Sequence, residues 1–362
     1  VSAVGIALGP IVVDKFGGSV LRRPEDIAAA VSVVVRQRAG GLRPVVVVSA
    51  FEGVTDTILS AASVLLPDGG RSLSGRSVRE PGHAPGSGLA RETDRALATG
   101  ETLSAALFAV GLQARGIPAR SFSGAEAGIR TAAAHLGAEV RRVYSRPLRM
   151  ALAGDLVPVV AGFQGIGAHG ELTTLGRGGT DLSAVVLAVA LHAERCELFK
   201  DVGGVMEADP HLVPDARFLP VVDAIQLELL AELGTEVVHP VAVRRARRGR
   251  LRLVVRALAD DEPMTEIRPP AARRAGRQPE QEPRGVLMLA VDRKERMARI
   301  SLVGPAELMP ELLPLPASGE GAFDEEGLRV VWAEVPLARA SQAARAVHAA
   351  FMGRRAVGLV PG

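Results

Sequence analysis

Short β-branched runs alternate with longer stretches of helical period, the pattern of an α/β sheet carrying helices on its faces. Ile11–Phe16 (IVVDKF) predicts a first strand, and Pro24 supplies a first-turn proline for a helix reaching about Ala39. Pro44–Ala50 (PVVVVSA) is almost continuously apolar, as in a parallel strand buried on both faces. Leu156–Ala161 and Cys196–Asp201 repeat that pattern around a predicted helix at Leu182–Ala193, and Leu251–Arg256 reads as the last strand of this part. Two stretches break the rhythm. Asp68–Gly88, rich in Gly, Ser, Pro and Arg, predicts a flexible surface insert, and the polar, proline-rich Asp260–Glu282 predicts a linker. Beyond it, Val286–Val291, Ala298–Val303 and Leu328–Ala333 predict strands and Ser341–Phe351 an amphipathic helix, together a small α+β module.

Composition narrows the picture. The 362 residues suffice for two domains of roughly 100–200 residues each. With 48% hydrophobic but only 3% aromatic residues, the core must be built from Val, Leu, Ile and Ala, and a base-stacking surface is not expected. The single cysteine, Cys196, excludes an internal disulfide and a cysteine-rich metal site, and it fits a reducing compartment. Net charge is only +3, with three lysines (Lys15, Lys200, Lys294), so that 40 of the 43 basic residues are arginines. The densest run, Arg244–Arg252, reads as a solvated face, and no nucleic-acid partner is expected. The apolar start Val1–Val13 is too short to cross a bilayer and lacks a basic flank, so no membrane association and a cytoplasmic location are expected.

Two loops carry candidate chemistry. Lys15-Phe16-Gly17-Gly18-Ser19 ends the first predicted strand; its glycines let backbone N–H groups approach a phosphate, and the lysine adds a compact positive charge. The lysine precedes the glycines, so this is not a Walker loop. Leu175-Gly176-Arg177-Gly178-Gly179-Thr180-Asp181 opens the helix at about Leu182, where Thr180 or Asp181 can cap it and Arg177 offers a planar fork to a carboxylate or phosphate. Taken singly, Glu101 also fits a helix N-terminal acid, Ser49 and Thr55 fit turn and cap residues, and Asp209-Pro210 fits a turn. The seven histidines show no metal-ligand spacing, and no protein metal site is expected.

The order of motifs is more specific than any of them. Lys15–Ser19, Val48-Ser49-Ala50 with Gly53-Val54-Thr55-Asp56, Gly100-Glu101, Ser121–Ile129, Gly162-Phe163, Thr173–Asp181, Asp201-Val202-Gly203-Gly204-Val205 with Ala208-Asp209-Pro210, and Val238-His239-Pro240 follow one another. This series resembles the aspartokinases of the amino acid kinase family from about residue 11 to 256, and the tail from Val286 is similar to an ACT regulatory domain. The resemblance implies an amino acid kinase fold, α/β with an open, mostly parallel central sheet and helices on both faces, in residues 1–258. A linker at 259–284 and a single ACT-like domain at 285–362 would follow. It also implies a phosphotransferase with ATP and Mg²⁺ that converts L-aspartate to 4-phospho-L-aspartate, working as a homodimer or higher homo-oligomer. Lys15 and Asp181 would be catalytic. Gly17, Gly18, Ser19, Gly178 and Gly179 would hold phosphates, with Lys200, Asp201 and Met206 also in the nucleotide site. Ser49, Thr55, Glu101 and Arg177 would hold the amino acid.

The chain departs from the family pattern at four places. Ser19-Val20 stands where the family usually has Thr-Ser, Asp209-Pro210-His211 where it has Asp-Pro-Arg, and Glu236 where it has the lysine of a Gly-Ala-Lys stretch. Lysine to glutamate swings the local charge by two units beside a polyanion. Lys200, where the family has Thr or Ser, is the expected compensation, either reaching the ATP phosphates or pairing with Glu236. Two other functions stay open: a catalytically weakened homologue with a regulatory or binding role, and a kinase for another small carboxylic amino acid.

Overall fold

The computed structural model describes residues 9–65, 88–235, 237–259, 263–269, 288–306, 309–310, 313, 315, 319–325 and 328–352. The expected insert at Asp68–Gly88, apart from Gly88, lies outside these residues, as do Glu236 and most of the expected linker. The chain packs as two compact units, Val1–Val202 with Leu251–Glu262, and Gly203–Arg250 with Pro263–Gly362.

The first unit is built on parallel strands: β1 (Ile11–Phe16), β2 (Arg43–Val48), β3 (Ala119–Phe122), β6 (Val157–Ala161), β9 (Arg195–Phe199) and the returning strand Arg252–Arg256. They run in the order returning strand, β9, β1, β2, β6, β3, every pairing parallel. β1 and β2 are buried over their last five residues and β6 throughout, which is why they read as near-continuous apolar runs. Four short strands, β4 (Ile129–Thr131), β5 (Val140–Val143), β7 (Gln164–Ile166) and β8 (Leu172–Thr174), form a separate small sheet.

Five helices accompany these strands: α1 (Ile27–Ala39), α2 (Val54–Val64), α3 (Gly88–Gln113), α4 (Arg146–Ala153) and α5 (Gly179–Leu191). α1 begins after a short 3-10 turn at Pro24–Asp26, where proline costs no hydrogen bond. α3 went unforeseen, although Leu97, Ala98, Ala105, Phe108, Ala109 and Leu112 recur at helical spacing and are its buried stripe. With α1 it covers one sheet face, through a core that includes Phe16, Val46, Val48, Phe108 and Phe199. α5 is buried on nearly every side, so it is apolar all round and lacks a polar face. It starts at Gly179 rather than near Leu182. Gly176 and Gly178 take left-handed φ values of 76° and 73°, which ends the loop early and makes Gly178, not Thr180 or Asp181, the N-cap residue.

In the second unit, Val221–Asp223 pairs in parallel with Thr265–Arg268, a strand inside the stretch expected to be linker. Asp223 caps the helix Ala224–Glu232 by accepting the Ile225 N–H at 2.7 Å. Within the arginine run expected to be merely solvated, Arg247 binds Glu228 at 2.8 Å and Arg244 binds Glu228 and Glu232, so these arginines tie two helices together. The C-terminal module is an antiparallel sheet in the order Met288–Arg293, Met297–Pro305, Leu328–Pro336, Gly319–Glu325. Helix Ala340–Met352 packs Ala343, Ala344 and Val347 against Ile300, Leu302, Val331 and Ala333. The expected α+β module is therefore present. Among the described residues no helix is long and apolar enough to cross a membrane.

Candidate active site

Strand register sets the geometry. In the parallel β1–β9 pair, Lys15 lies opposite Leu198 and Phe16 opposite Phe199. Side chains alternate along a strand, so Lys15, Leu198 and the residue just past the strand, Lys200, take one face and Phe16 and Phe199 the other. The two phenylalanines stack at 4.7 Å, and Phe108 of α3 lies 5.3 Å from Phe16. The lysine face meets the first turn of α5. There Lys15 Nζ is 2.7 Å from Asp181 Oδ1 and Lys200 Nζ is 3.2 Å from Asp181 Oδ2. One carboxylate thus bridges two ammonium groups, all three side chains being largely shielded (8%, 16% and 7% exposed for Lys15, Lys200 and Asp181).

Electrostatics follow from that burial. Desolvation by itself would raise the Asp181 pKa; Lys15 and Lys200 outweigh it and hold the carboxyl well below the usual carboxylate range. Burial lowers the Lys200 pKa, Asp181 opposes that effect, and Lys15 adds to it. Around the cluster, the Val20 and Leu21 N–H groups close the Gly17–Ser19 turn on the Gly17 carbonyl (3.1 and 2.9 Å). A Cβ at Gly17 would lie 2.8 Å from Lys15 Nζ, so the missing side chain is what lets the ammonium fold back over this loop. A Cβ at Gly162 would fall 2.5 Å from Thr180 Cγ2, so glycine there admits the first turn of α5 to the end of β6.

A second group gathers where α3 crosses the end of β2. Glu101 is 3% exposed, its carboxylate accepts the Ala50 N–H, and its Oε2 is buried without a hydrogen-bond partner. Burial pushes its pKa up to about 7 against the pull of the Ala50 amide. Ser49, half-buried beside Ala50, donates its N–H to the Phe16 carbonyl at 3.0 Å. Thr55 is half-buried in the first turn of α2. Gly100 makes the crossing possible, because a Cβ there would sit 2.7 Å from Ala50 Cβ and 3.2 Å from Val54 Cγ1. Alanine would gain roughly 0.5–1 kcal/mol in helix propensity, but overpacking of this kind costs about 1–3 kcal/mol. Gly100→Ala is therefore expected to lower stability by about 1 kcal/mol, read as a lower urea midpoint at unchanged slope; a higher midpoint would mean the crossing is loose.

Other predicted residues are placed less tightly. Arg177 is exposed in the loop between the two left-handed glycines, and Asp201 is exposed just past β9. Met206 belongs to the second unit, half-buried against the core of its C-terminal module. His211 is exposed and donates its N–H to Asp209 Oδ1 at 2.9 Å, so Asp209 serves as an ordinary turn residue. Sequence reasoning missed Asp94. It is fully buried on α3 two turns before Glu101, where it meets His135 Nδ1 at 2.6 Å, accepts the Leu136 N–H at 3.1 Å and accepts the Thr174 hydroxyl. These bonds pin the strand leading to Arg177. The available signal was two acids, Asp94 and Glu101, seven residues apart on an apolar helical stripe. Phe163, at φ 66°, is a further strained residue there; its N–H reaches Ser183 Oγ of α5 at 3.0 Å.

Among the described residues no group of three or more His, Cys, Asp or Glu could hold a metal ion. Both Asp181 oxygens already lie against ammonium groups.

Residues 10–257 match the amino acid kinase family. The chain is 37% identical over 257 residues to aspartokinase 2 of Bacillus subtilis, an alignment covering 71% of this chain and 58% of that protein. It is 38% identical over 258 residues to the aspartokinase of Thermus thermophilus, covering 71% of this chain and 59% of that protein. The alignments thus span under three-fifths of the length of these relatives. Among solved structures, E. coli aspartokinase III in complex with aspartate and ADP superimposes with a TM-score of 0.73 at 19% identity, over 94% of this chain and all of that one. Aspartate kinase from Synechocystis does so with a TM-score of 0.59 at 31% identity, over 94% of this chain and 55% of the other. With the family match spanning well over half its length, the chain belongs to the amino acid kinase family.

Proposed function

We propose that the protein is an aspartate kinase, transferring the γ-phosphoryl group of ATP to the side-chain carboxylate of L-aspartate to give 4-phospho-L-aspartate. The observation that carries this reading is the buried Lys15–Asp181–Lys200 cluster between two glycine loops of one compact unit. The aspartokinase relatives support the choice of substrate.

A carboxylate with an ordinary pKa of about 3.9 is already ionised at neutral pH, so the attacking oxygen requires no general base. It forms a bond to the γ-phosphorus as the bridging bond to the β-phosphate breaks, and ADP leaves with that electron pair. Catalysis then consists of positioning two anions and stabilising charge on the phosphoryl oxygens. Lys15 supplies that positive charge, Asp181 keeps its ammonium oriented, and the Gly17–Ser19 and Gly178–Gly179 backbones face the phosphates. Arg177 takes the α-carboxylate of the amino acid. The unpartnered Glu101 Oε2 takes its ammonium, with Ser49 and Thr55 completing the pocket. Asp201 is assigned to the nucleotide side. Mg²⁺ fits as a counter-ion carried by the nucleotide phosphates rather than as a caged ion, since both oxygens of Asp181 lie against ammonium groups.

In this reading residues 1–258 together with the strand Thr265–Arg268, which pairs with Val221–Asp223, are catalytic, the rest of 259–284 links, and 285–362 are a single ACT-like module through which copies of the chain associate. Incubation with ATP, Mg²⁺ and a panel of amino acids in hydroxylamine is expected to yield a hydroxamate with L-aspartate. A hydroxamate with glutamate and none with aspartate would reassign the substrate; none with any acid would overturn the kinase reading.

A further inference from the structure

Two of the chain's three lysines converge on one carboxylate, in a protein that otherwise draws on 40 arginines for positive charge. At Glu197, another buried acid of the first unit, the counter-ions are arginines: Arg195 binds it at 2.7 Å and Arg256 approaches it at 3.4 Å. Lysine differs in being a compact point charge with three donors, so it can hold Asp181 with one N–H and offer the others to a second anion.

The charges at the cluster do not balance. Two ammonium groups face one carboxylate, all largely removed from water, and Asp201, the next acid acting on Lys200, is itself exposed to solvent. A shielded excess of positive charge is costly unless an anion arrives to meet it. The surroundings favour the same visitor. The thirteen-residue helix α5 points its N-terminus at the cluster, and the Gly17–Ser19 turn lies beside Lys15. Strand register makes the pairing specific, because Lys200 stands two positions beyond the residue opposite Lys15 and so shares its face.

We propose that Lys200 is a second phosphate-holding residue, so that Lys15 and Lys200, spaced by Asp181, grip the polyphosphate of the nucleotide from two sides. The proposal rests on the kinase reading of the site and adds to it a clamp built from the ends of neighbouring strands. Lys200 acts on the phosphates alone and leaves the amino acid pocket untouched.

The test compares wild type with Lys200→Ala, Lys200→Gln, which keeps an N–H for Asp181 without the charge, and Lys200→Arg. Calorimetric titrations with sodium tripolyphosphate and with Mg·ADP are combined with steady-state kinetics. Both neutral variants are expected to weaken tripolyphosphate at least tenfold and to raise the ATP KM similarly, with the aspartate KM changed less than twofold. Their unliganded melting temperature is expected to be equal or higher, since an excess buried charge has gone, and Lys200→Arg is expected to recover most of the polyphosphate affinity. Wild-type tripolyphosphate affinity in the neutral variants would overturn the proposal. So would a joint loss of polyphosphate and aspartate affinity with a lower melting temperature, the mark of a purely structural residue. Lys200-dependent tripolyphosphate binding in a protein that makes no acyl phosphate with any acid would sustain the clamp and sink the kinase reading instead.

Discussion

Replacing Asp181 with alanine is expected to lower acyl-phosphate formation by about 10²–10³-fold and to destabilise the fold by about 3–5 kcal/mol. Among the described residues Asp181 is the one carboxylate in contact with both Lys15 and Lys200, so its removal leaves two shielded ammonium groups facing each other. Breaking a buried pair costs far more than the pair contributes net, because the stranded charge retains its desolvation penalty. The pH dependence has a definite sign. The folded-state pKa of Asp181 lies below its unfolded value, so its stabilisation is present above about pH 4 and is lost as acid protonates the folded state. The variant should therefore lose stability at pH 7 and little more on acidification. Adding Lys200→Ala to Asp181→Ala is expected to restore part of the stability but none of the activity, since one stranded charge is then gone. Urea unfolding at pH 7 with hydroxylamine trapping measures both; equal stability of wild type and Asp181→Ala would mean the three side chains are not held together.

Glu101→Gln is expected to move function and stability in opposite directions. The Glu101 pKa of about 7 lies above its ordinary 4.5, so between those values the folded protein binds the extra proton and stability falls as pH rises. Above pH 7 the ionised, buried carboxylate is a net cost to the unliganded fold. Glutamine removes that cost, so the variant should be more stable than wild type at pH 8 by roughly 1–3 kcal/mol and nearly equal to it at pH 5. Binding runs the other way, because only the ionised carboxylate attracts the substrate ammonium. The aspartate KM should rise about a hundredfold in the variant, and wild-type kcat/KM for aspartate should fall about tenfold per unit below pH 7. Thermal melts at pH 5 and 8 with kinetics across that range check both halves. A variant less stable than wild type at pH 8 would show that Glu101 is a structural acid.

Much of this was legible in the sequence because it rests on short-range pattern. Ile11–Phe16 emerged with the expected bounds, since a strand buried on both faces announces itself as a β-branched run. The two lysines of the buried cluster were legible for a different reason: lysine is so rare here that its position before Gly17 and after Phe199 carried information. What could not be read was tertiary. Nothing local shows that Lys200 shares a face with Lys15, because that depends on the register of strands far apart in the chain. The partner weighed for Lys200 was Glu236, which lies outside the described residues; the carboxylate it meets is Asp181. Asp94 was invisible for the same reason, its partners His135, Leu136 and Thr174 lying some 40 to 80 positions away. The start of α5 was misjudged because left-handed glycines, not a polar cap, end the preceding loop.

The central claim, that the two lysines and their shared carboxylate receive a nucleotide polyphosphate, is tested most directly by a crystal structure of the protein grown with Mg·ADP and L-aspartate. The account predicts phosphate oxygens within hydrogen-bonding distance of Lys15 Nζ and Lys200 Nζ, with the aspartate ammonium on Glu101. A nucleotide seated away from both lysines, with their contacts to Asp181 unchanged and no anion beside them, would contradict it.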